Sequence, residues 1–590
     1  MDLRNFFQKY RWLAYGLAVL GALFYAWRTW TLAHTLTTTI LDESMYLYKG
    51  YLFAAGRYTP YQDYGPLTNH MPLSFLIPGY IQLWFGPGMG TGRLFAFAVS
   101  MIMLAGIWVA FHKLGGRWWG AAGVWFFALN PAWQEVFSQG LSQGIVNALT
   151  AWSFVFLLGK ERSRVQLSLA AALAVLAVMT RVNTLPIFAL MLVYIFWQHG
   201  WQKGLVATLV GILVGVLILV PFYPGVLRFL STWIPEGLLN FVEPFRSPYS
   251  QQHVPEGFSY FPLDAWTGDP TSLQYKGVFA FLEGLTLNFV PWLAVIAVLV
   301  LWPHRSDWID EYHYRVSIFL LITWLVMAGL HIWVAMSGTS CRFFCLAGYF
   351  TFFNLLALLL LPATGHAWHP RPAWVREAFG WLALLGVVAG VMRAHVDEFY
   401  FAWYRFMHTP IPRFTEGRFV QGETGFLLSL FENKLNLDYD FLILKLPPYV
   451  YWVLIVLLVA LVPIIHGIRG RRSYLAVPQS YTNFTLFITL GALLGFTTIF
   501  YGNTPNLVCE ESVIQTHEAT AGEILDIIKP DSLVYYELTS NMLLLQMPEV
   551  QIFPPQLNTT FNYTEQSTSS ESDEIYRFSY WNEDLKEEWI

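Results

Sequence analysis

LDESMYLYKGYLFAAGRYTPYQDYGPLTNHMPLSFLIP, residues Leu41–Pro78, begins where the first long apolar run of the chain ends, and it sets two acids, Asp42 and Glu43, at the edge of that run. From Glu43 to Ala55 the apolar positions Met45, Tyr48, Tyr51, Leu52 and Ala55 recur at helical spacing and stop at Gly56. This pattern predicts an amphipathic helix lying in a membrane interface. Pro72–Phe85 is too short to span and is expected to be a second interfacial helix, closed by GPGMG.

Working outward, the composition agrees with a membrane setting. With 55% hydrophobic and 12% charged residues over 590 positions, the polar surface is too small for a soluble protein. A net charge of −5 without a basic block argues against nucleic acid as a partner. Three cysteines, Cys341, Cys345 and Cys509, are too few for a disulfide framework. Met1–Arg11 followed by Trp12–Trp27 is expected to be an uncleaved signal anchor, because Phe24, Tyr25, Trp27 and Arg28 stand where small cleavage-site residues would be.

Apolar windows of roughly 20 residues predict about thirteen spans. They fall near 12–33, 92–112, 118–136, 144–159, 167–180, 184–197, 204–222, 285–302, 316–335, 343–361, 378–392, 447–466 and 481–501. Leu167–Trp197 is long for one span, and Thr180–Pro186 (TRVNTLP) interrupts it with a cation, an Asn and a proline; it is therefore expected to be a hairpin with Arg181 at the outer turn. Counting it as two helices leaves the short, cation-dense segments inside, including Lys113, Arg117, Lys160, Arg162, Arg164, Lys203, Arg305, Arg315 and Arg469–Arg472. Residues 34–91, 223–284, 393–446 and 502–590 then lie outside. The expected fold class is a polytopic α-helical membrane protein of the plasma membrane, with its N-terminus cytoplasmic. Residues 1–501 form the transmembrane domain, and residues 502–590 a small extracytoplasmic α/β appendage that stops abruptly in a helical pattern and is expected to be incomplete. In the appendage Thr516–Lys529 reads as a helix, Leu533–Glu537 and Val550–Phe553 as strands, and Glu565–Glu574 as a Ser/Glu-rich loop.

All the long segments share the outer face, so the chemistry is expected there. Asp42 either caps the first interfacial helix or acts as a general base toward an acceptor hydroxyl. The acidic pair after the first span is followed by Tyr46, Gly56, Tyr58, Pro60–Tyr61, a proline-initiated run ending at Phe85–Gly86, and Arg93 opening the next span. This layout resembles the glycosyltransferase C superfamily, in the branch of protein O-mannosyltransferases and aminoarabinose transferases, most clearly over residues 1–200. The resemblance implies a membrane enzyme that takes a sugar from a polyprenyl phosphate on the outer face, inverts at the anomeric carbon, and passes it to a glycan, lipid or protein hydroxyl. It assigns Asp42 as the essential acid and Glu43 as its neighbour.

The aminoarabinose enzymes place a Lys before the proline of the second interfacial helix, whereas here Asn69, His70 and Met71 precede Pro72, leaving His70 for the lipid phosphate. Arg181, Arg342 and Arg246 are the further phosphate-binding candidates, since a guanidinium binds phosphate oxygens in pairs. Gln143 and Asn147, in SQGLSQGIVN, stand where relatives often carry an Asp, and Tyr46, Tyr61 and Tyr64 are placed to stack on a sugar. No cofactor is expected. His395, Asp397 and Glu398 form an acidic cluster where a divalent metal is conceivable, and Asp438-Tyr439-Asp440 spells D-x-D on the wrong face for cytosolic nucleotide sugars. The rival class is a transporter or flippase of lipid or sugar; against it, acids are absent from nearly all span centres.

Overall fold

A computed structural model describes residues 11–37, 42–57, 60–61, 70–226, 288–337, 348–368, 375–376, 396–408, 413–415, 418–420, 425–450, 453, 512–528, 533–536, 542–547, 551–553 and 575–578. The helices run in the order α1 (Arg11–Thr35), α2 (Asp42–Ala54), α3 (Leu73–Phe85), α4 (Met89–Gly115), α5 (Arg117–Ala128), α6 (Pro131–Ser138), α7 (Ser142–Leu157), α8 (Arg164–Thr180), α9 (Leu185–His199), α10 (Trp201–Leu219), α11 (Phe289–Val300), α12 (Glu311–Ser337) and α13 (Gly348–Thr364). Four helices among the described residues are long and apolar enough to cross a membrane, or five if the bent pair Pro131–Ser138 and Ser142–Leu157 is one span. The expected spans 378–392, 447–466 and 481–501 lie largely or wholly outside the described residues, as does most of 223–284.

The two helices of the opening stretch form at the predicted places. α2 and α3 cross with their backbones in contact at Gly50 and Gly79, where a Cβ on either glycine would run into the other helix's main chain. Only a side-chain-free position permits that approach. The interrupted stretch after Leu167 is two helices: α8 ends at Thr180, a 3₁₀ turn covers Val182–Thr184, and Pro186 falls in the first turn of α9, where its missing N–H loses nothing.

One expected span is corrected. Residues 118–136 are not one helix but α5 and α6, because Asn130 caps the second helix, accepting from Trp133 N–H at 3.2 Å, and Pro131 opens it. α6 and α7 then meet at 108° across Gln139–Leu141, the bend of a broken span or of a re-entrant loop. The main core gathers α4 to α9 with α11, α12 and α13 around residues such as Phe111, Trp133, Phe154, Tyr194, Trp324 and Phe353.

Beyond the bundle lie α14 (Val396–Met407), a short antiparallel pair β1 (Arg413–Thr415) and β2 (Arg418–Val420), and α15 (Phe426–Leu435). The appendage contains α16 (Val513–Ile527), β3 (Leu533–Tyr536), α17 (Met542–Gln546), β4 (Gln551–Phe553) and β5 (Ile575–Phe578). Its strands form a parallel sheet in the order β4-β3-β5, of which β5 was not anticipated. The appendage is not a free tail. Val513, Ile514, Ala521, Met542, Leu544 and Leu545 pack with Leu47, Tyr48, Tyr51 and Leu52 of α2 and with Met89 in one apolar cluster.

Candidate functional site

Glu43 and Arg93 anchor one end of the bundle. The Arg93 Nε–H and Nη2–H donate to Glu43 Oε1 and Oε2, each at 3.0 Å, and Nη1 donates to Ala33 O at 2.9 Å and Leu36 O at 2.7 Å. Ala33 lies in the last turn of α1, where carbonyls lack intrahelical donors, and Leu36 directly follows the helix. Glu43 Oε1 also accepts from Gly140 N–H, in the turn between α6 and α7, at 2.9 Å. Both side chains are fully buried, at 0% and 1% exposure. One ion pair therefore ties together α1, α2, α4 and the α6–α7 turn. Sequence reasoning grouped Glu43 with Asp42 in the chemistry; with both oxygens taken, Glu43 is better described as a positioning residue.

Asp42 is the first residue of α2. Helical spacing separates it from Glu43 by about 100° around the axis and aligns it with Tyr46 and Lys49, one and two turns on. That second face of α2 is polar and cationic. Lys49 is fully buried, and its Nζ lies 3.2 Å from His70 Nδ1 and 5.7 Å and 5.1 Å from the Tyr46 and Phe75 ring centres. His70 meets the Tyr46 ring edge-on at 5.1 Å, and its carbonyl accepts from the Tyr61 hydroxyl at 2.9 Å. Burial first, and then the charges of Lys49 and Arg181, hold the His70 imidazole well below its usual pKa. A neutral ring that accepts an ammonium proton at Nδ1 carries its own proton on Nε2.

Arg181, between α8 and α9, acts electrostatically on His70 and donates from Nη1 to Ser142 Oγ at 2.9 Å. Ser142 opens α7 and donates to Gln143 Oε1 at 3.4 Å. Asn147, one turn further, is 1% exposed, and neither its Nδ2 nor its Oδ1 has a hydrogen-bond partner among the described residues; Gln139 Oε1 is also unpaired. Asn183 Nδ2 lies 3.3 Å from His331 Nε2 on α12. Buried amides without partners are rare and mark a place where polar atoms from a ligand or water would be held.

Of the sequence candidates, the structure brings Tyr46, Tyr61, His70 and Arg181 to this end of the bundle, together with Gln143 and Asn147 on α7. Tyr64, Arg246 and Arg342 lie outside the described residues. His395 does so as well, while Asp397 and Glu398 fall in the first turn of α14. Asp438 of the D-x-D accepts from Phe441 N–H at 2.6 Å, the contact of a helix cap. Among the described residues no three His, Cys, Asp or Glu side chains group so as to hold a metal.

Lys49 was missed by sequence reasoning: a single lysine in an apolar helix reads as an exposed or snorkelling group, and nothing local points it at His70. Arg93 was noted only as the opening of a span. His517 of α16 is a third such residue. Burial and the Arg93 charge lower its pKa, with Glu43 opposing, so the appendage reaches the anchoring ion pair.

No family model matches the chain, and no curated protein matches it. Among solved structures, a crystal structure of ArnT from Cupriavidus metallidurans bound to undecaprenyl phosphate aligns over 95% of this chain and 89% of its own, at 14% identity and a TM-score of 0.43. A likeness this weak carries no weight for fold or function.

Proposed function

We propose that the chain is a membrane glycosyltransferase that moves a sugar from a polyprenyl-phosphate donor to a hydroxyl of a glycan, lipid or protein on the extracytoplasmic face. The observation that supports this reading best is the cluster of Lys49, His70 and Arg181 beside the helix that begins at Asp42. A base and a cluster of phosphate-binding donors are the two things this transfer needs.

In the proposed step the acceptor oxygen attacks the anomeric carbon and its proton passes to the Asp42 carboxylate. The bond from the anomeric carbon to the phosphate oxygen breaks, and its electron pair leaves with the lipid phosphate. Attack opposite the leaving group inverts the centre. Lys49 and Arg181 balance the charge that develops on the departing phosphate, and the neutral His70 offers Nε2–H to it. Arg342 and Arg246 are further phosphate candidates. Asn147, Gln143, Tyr46, Tyr61 and Tyr64 would meet sugar or acceptor hydroxyls. The mechanism uses no metal or cofactor.

Incubating purified protein with a radiolabelled polyprenyl-phosphate hexose or pentose and a mixed acceptor pool tests the assignment. Label should move to an acceptor, and the double substitution Lys49→Gln, Arg181→Gln should reduce donor use by about 100-fold or more, as expected when charge partners of a leaving group are removed. Unchanged donor use in a folded double variant would show that the phosphate binds elsewhere.

A further inference from the structure

Twenty residues of α4 separate Arg93 from Lys113, a rise of about 30 Å, so the far end of the bundle is a distinct surface. Several helix ends meet there. α4 ends beside Lys113, the α7–α8 loop carries Arg162, α9 ends at His199, and Lys203 lies in the first turn of α10. Lys113 Nζ donates to Val155 O at 2.5 Å, and Lys203 Nζ to Arg162 O at 2.7 Å. Arg162 stands within electrostatic reach of Lys113, His199 and the phenols Tyr194 and Tyr312. Its guanidinium packs against Gly159, where a Cβ would collide with it.

Three neighbouring cations on this surface take an acid, while Arg164 donates from Nη2 to Gln202 Oε1 at 3.0 Å. Lys160 pairs with Asp310 at 2.6 Å, and Glu311 holds Arg305 at 2.5 Å and Arg315 at 3.0 Å. Lys113, Arg162 and Lys203 have no carboxylate within ion-pair distance among the described residues. The two lysine contacts are to a carbonyl in the last turn of α7 and to one in the α7–α8 loop. Among the described residues the enclosed atoms here without a hydrogen-bond partner are His112 Nδ1, Arg162 Nε, Gln198 Oε1, His199 Nε2 and the hydroxyl of Tyr194, a residue only 1% exposed. Of these, Arg162 Nε–H and the Tyr194 hydroxyl are donors, and beside cations without a carboxylate they suit an anion whose several oxygens can accept at once.

We propose that Lys113, Arg162, Lys203 and Tyr194 form a binding site for a phosphate group, supplied by the headgroup of an anionic lipid in the leaflet away from Asp42. The lipid source is favoured by the surroundings. Trp201, Trp197 and Val165 are exposed beside the cluster, at 72%, 41% and 68%, and exposed tryptophans at helix ends mark the headgroup level of a bilayer.

The test compares unfolding temperature and lipid retention, by native mass spectrometry, for full-length protein in phosphatidylcholine nanodiscs with and without phosphatidylglycerol. Wild type should unfold at a higher temperature when phosphatidylglycerol is present. Arg162→Gln should lose that gain and retain roughly tenfold less phosphatidylglycerol. Arg305→Gln, whose cation already has Glu311, should keep both. If Arg162→Gln does not fold, Lys203→Gln takes its place in the same comparison. Inorganic phosphate added to pure phosphatidylcholine discs identifies the source: an Arg162-dependent gain equal to that of phosphatidylglycerol would support the phosphate site but assign it to a soluble ligand. No response to either phosphate source, or an equal response in wild type and Arg162→Gln, would overturn the proposal.

Discussion

Residues 42 and 43 stand about 100° apart around α2, as successive positions of a helix do. Glu43 faces inward to Arg93, and the pair survives burial because each oxygen and four of the five guanidinium N–H groups are used. Glu43→Gln should therefore act on stability, lowering it by about 3 kcal/mol or more in thermal unfolding, since it leaves a buried guanidinium unpaired. Glu43→Gln combined with Arg93→Met should be less destabilised than Glu43→Gln alone; an additive loss would mean that the pair is not the anchor. His70 gives a pH signature. Its pKa is depressed in the folded protein, so the unfolded chain binds the extra proton first. The stability it contributes is present above the ordinary imidazole value of 6.5 and is lost as pH falls below it. His70→Gln should flatten the stability–pH profile between about pH 6.5 and 5. An unchanged slope would show that His70 is not held neutral.

At the scale of elements, the α2–α3 crossing sets the floor of the site, and its tolerance is small. Gly79→Val should abolish folded protein in size-exclusion chromatography, because a branched side chain cannot fit where a Cβ already collides with Gly50. A folded, monodisperse variant would show that the helices can separate. The limits of α2 and α3 and the break at Arg181 were legible in the sequence because glycine, proline and apolar spacing act locally. The turn between α5 and α6 was not, since one apolar run continues through Asn130–Pro131 and hydropathy does not register a cap. Lys49 and Arg93 escaped for the opposite reason: their partners lie 21 and 50 residues away, and only the folded chain brings Lys49 to His70 and Arg93 to Glu43. β5 follows a Ser/Glu-rich stretch and gains its strand character from parallel pairing with β3.

Across the whole molecule, the appendage and the bundle meet on α2. Leu545→Ala opens a cavity in the apolar cluster that seats α16 and α17 on this helix, and a loss of about 2–5 kcal/mol is expected for such a truncation. The accompanying prediction is reduced transfer with native helical content, because the helix that starts with Asp42 is loosened from outside the bundle. The proposed topology can be checked separately by introducing a cysteine near Ser569, which an impermeant reagent should label from the outer face of intact cells. Both lines lead back to the base. Asn caps a helix about as well as Asp, so Asp42→Asn should leave unfolding temperature and expression near wild type if the residue only caps α2. As a general base it cannot be replaced by an amide, and loss of a base typically removes about 100- to 10,000-fold in rate. The deciding measurement is the transfer rate of purified, folded Asp42→Asn protein with a labelled polyprenyl-phosphate sugar. The account predicts a fall of at least about 100-fold at unchanged stability, and transfer within a few-fold of wild type would contradict it.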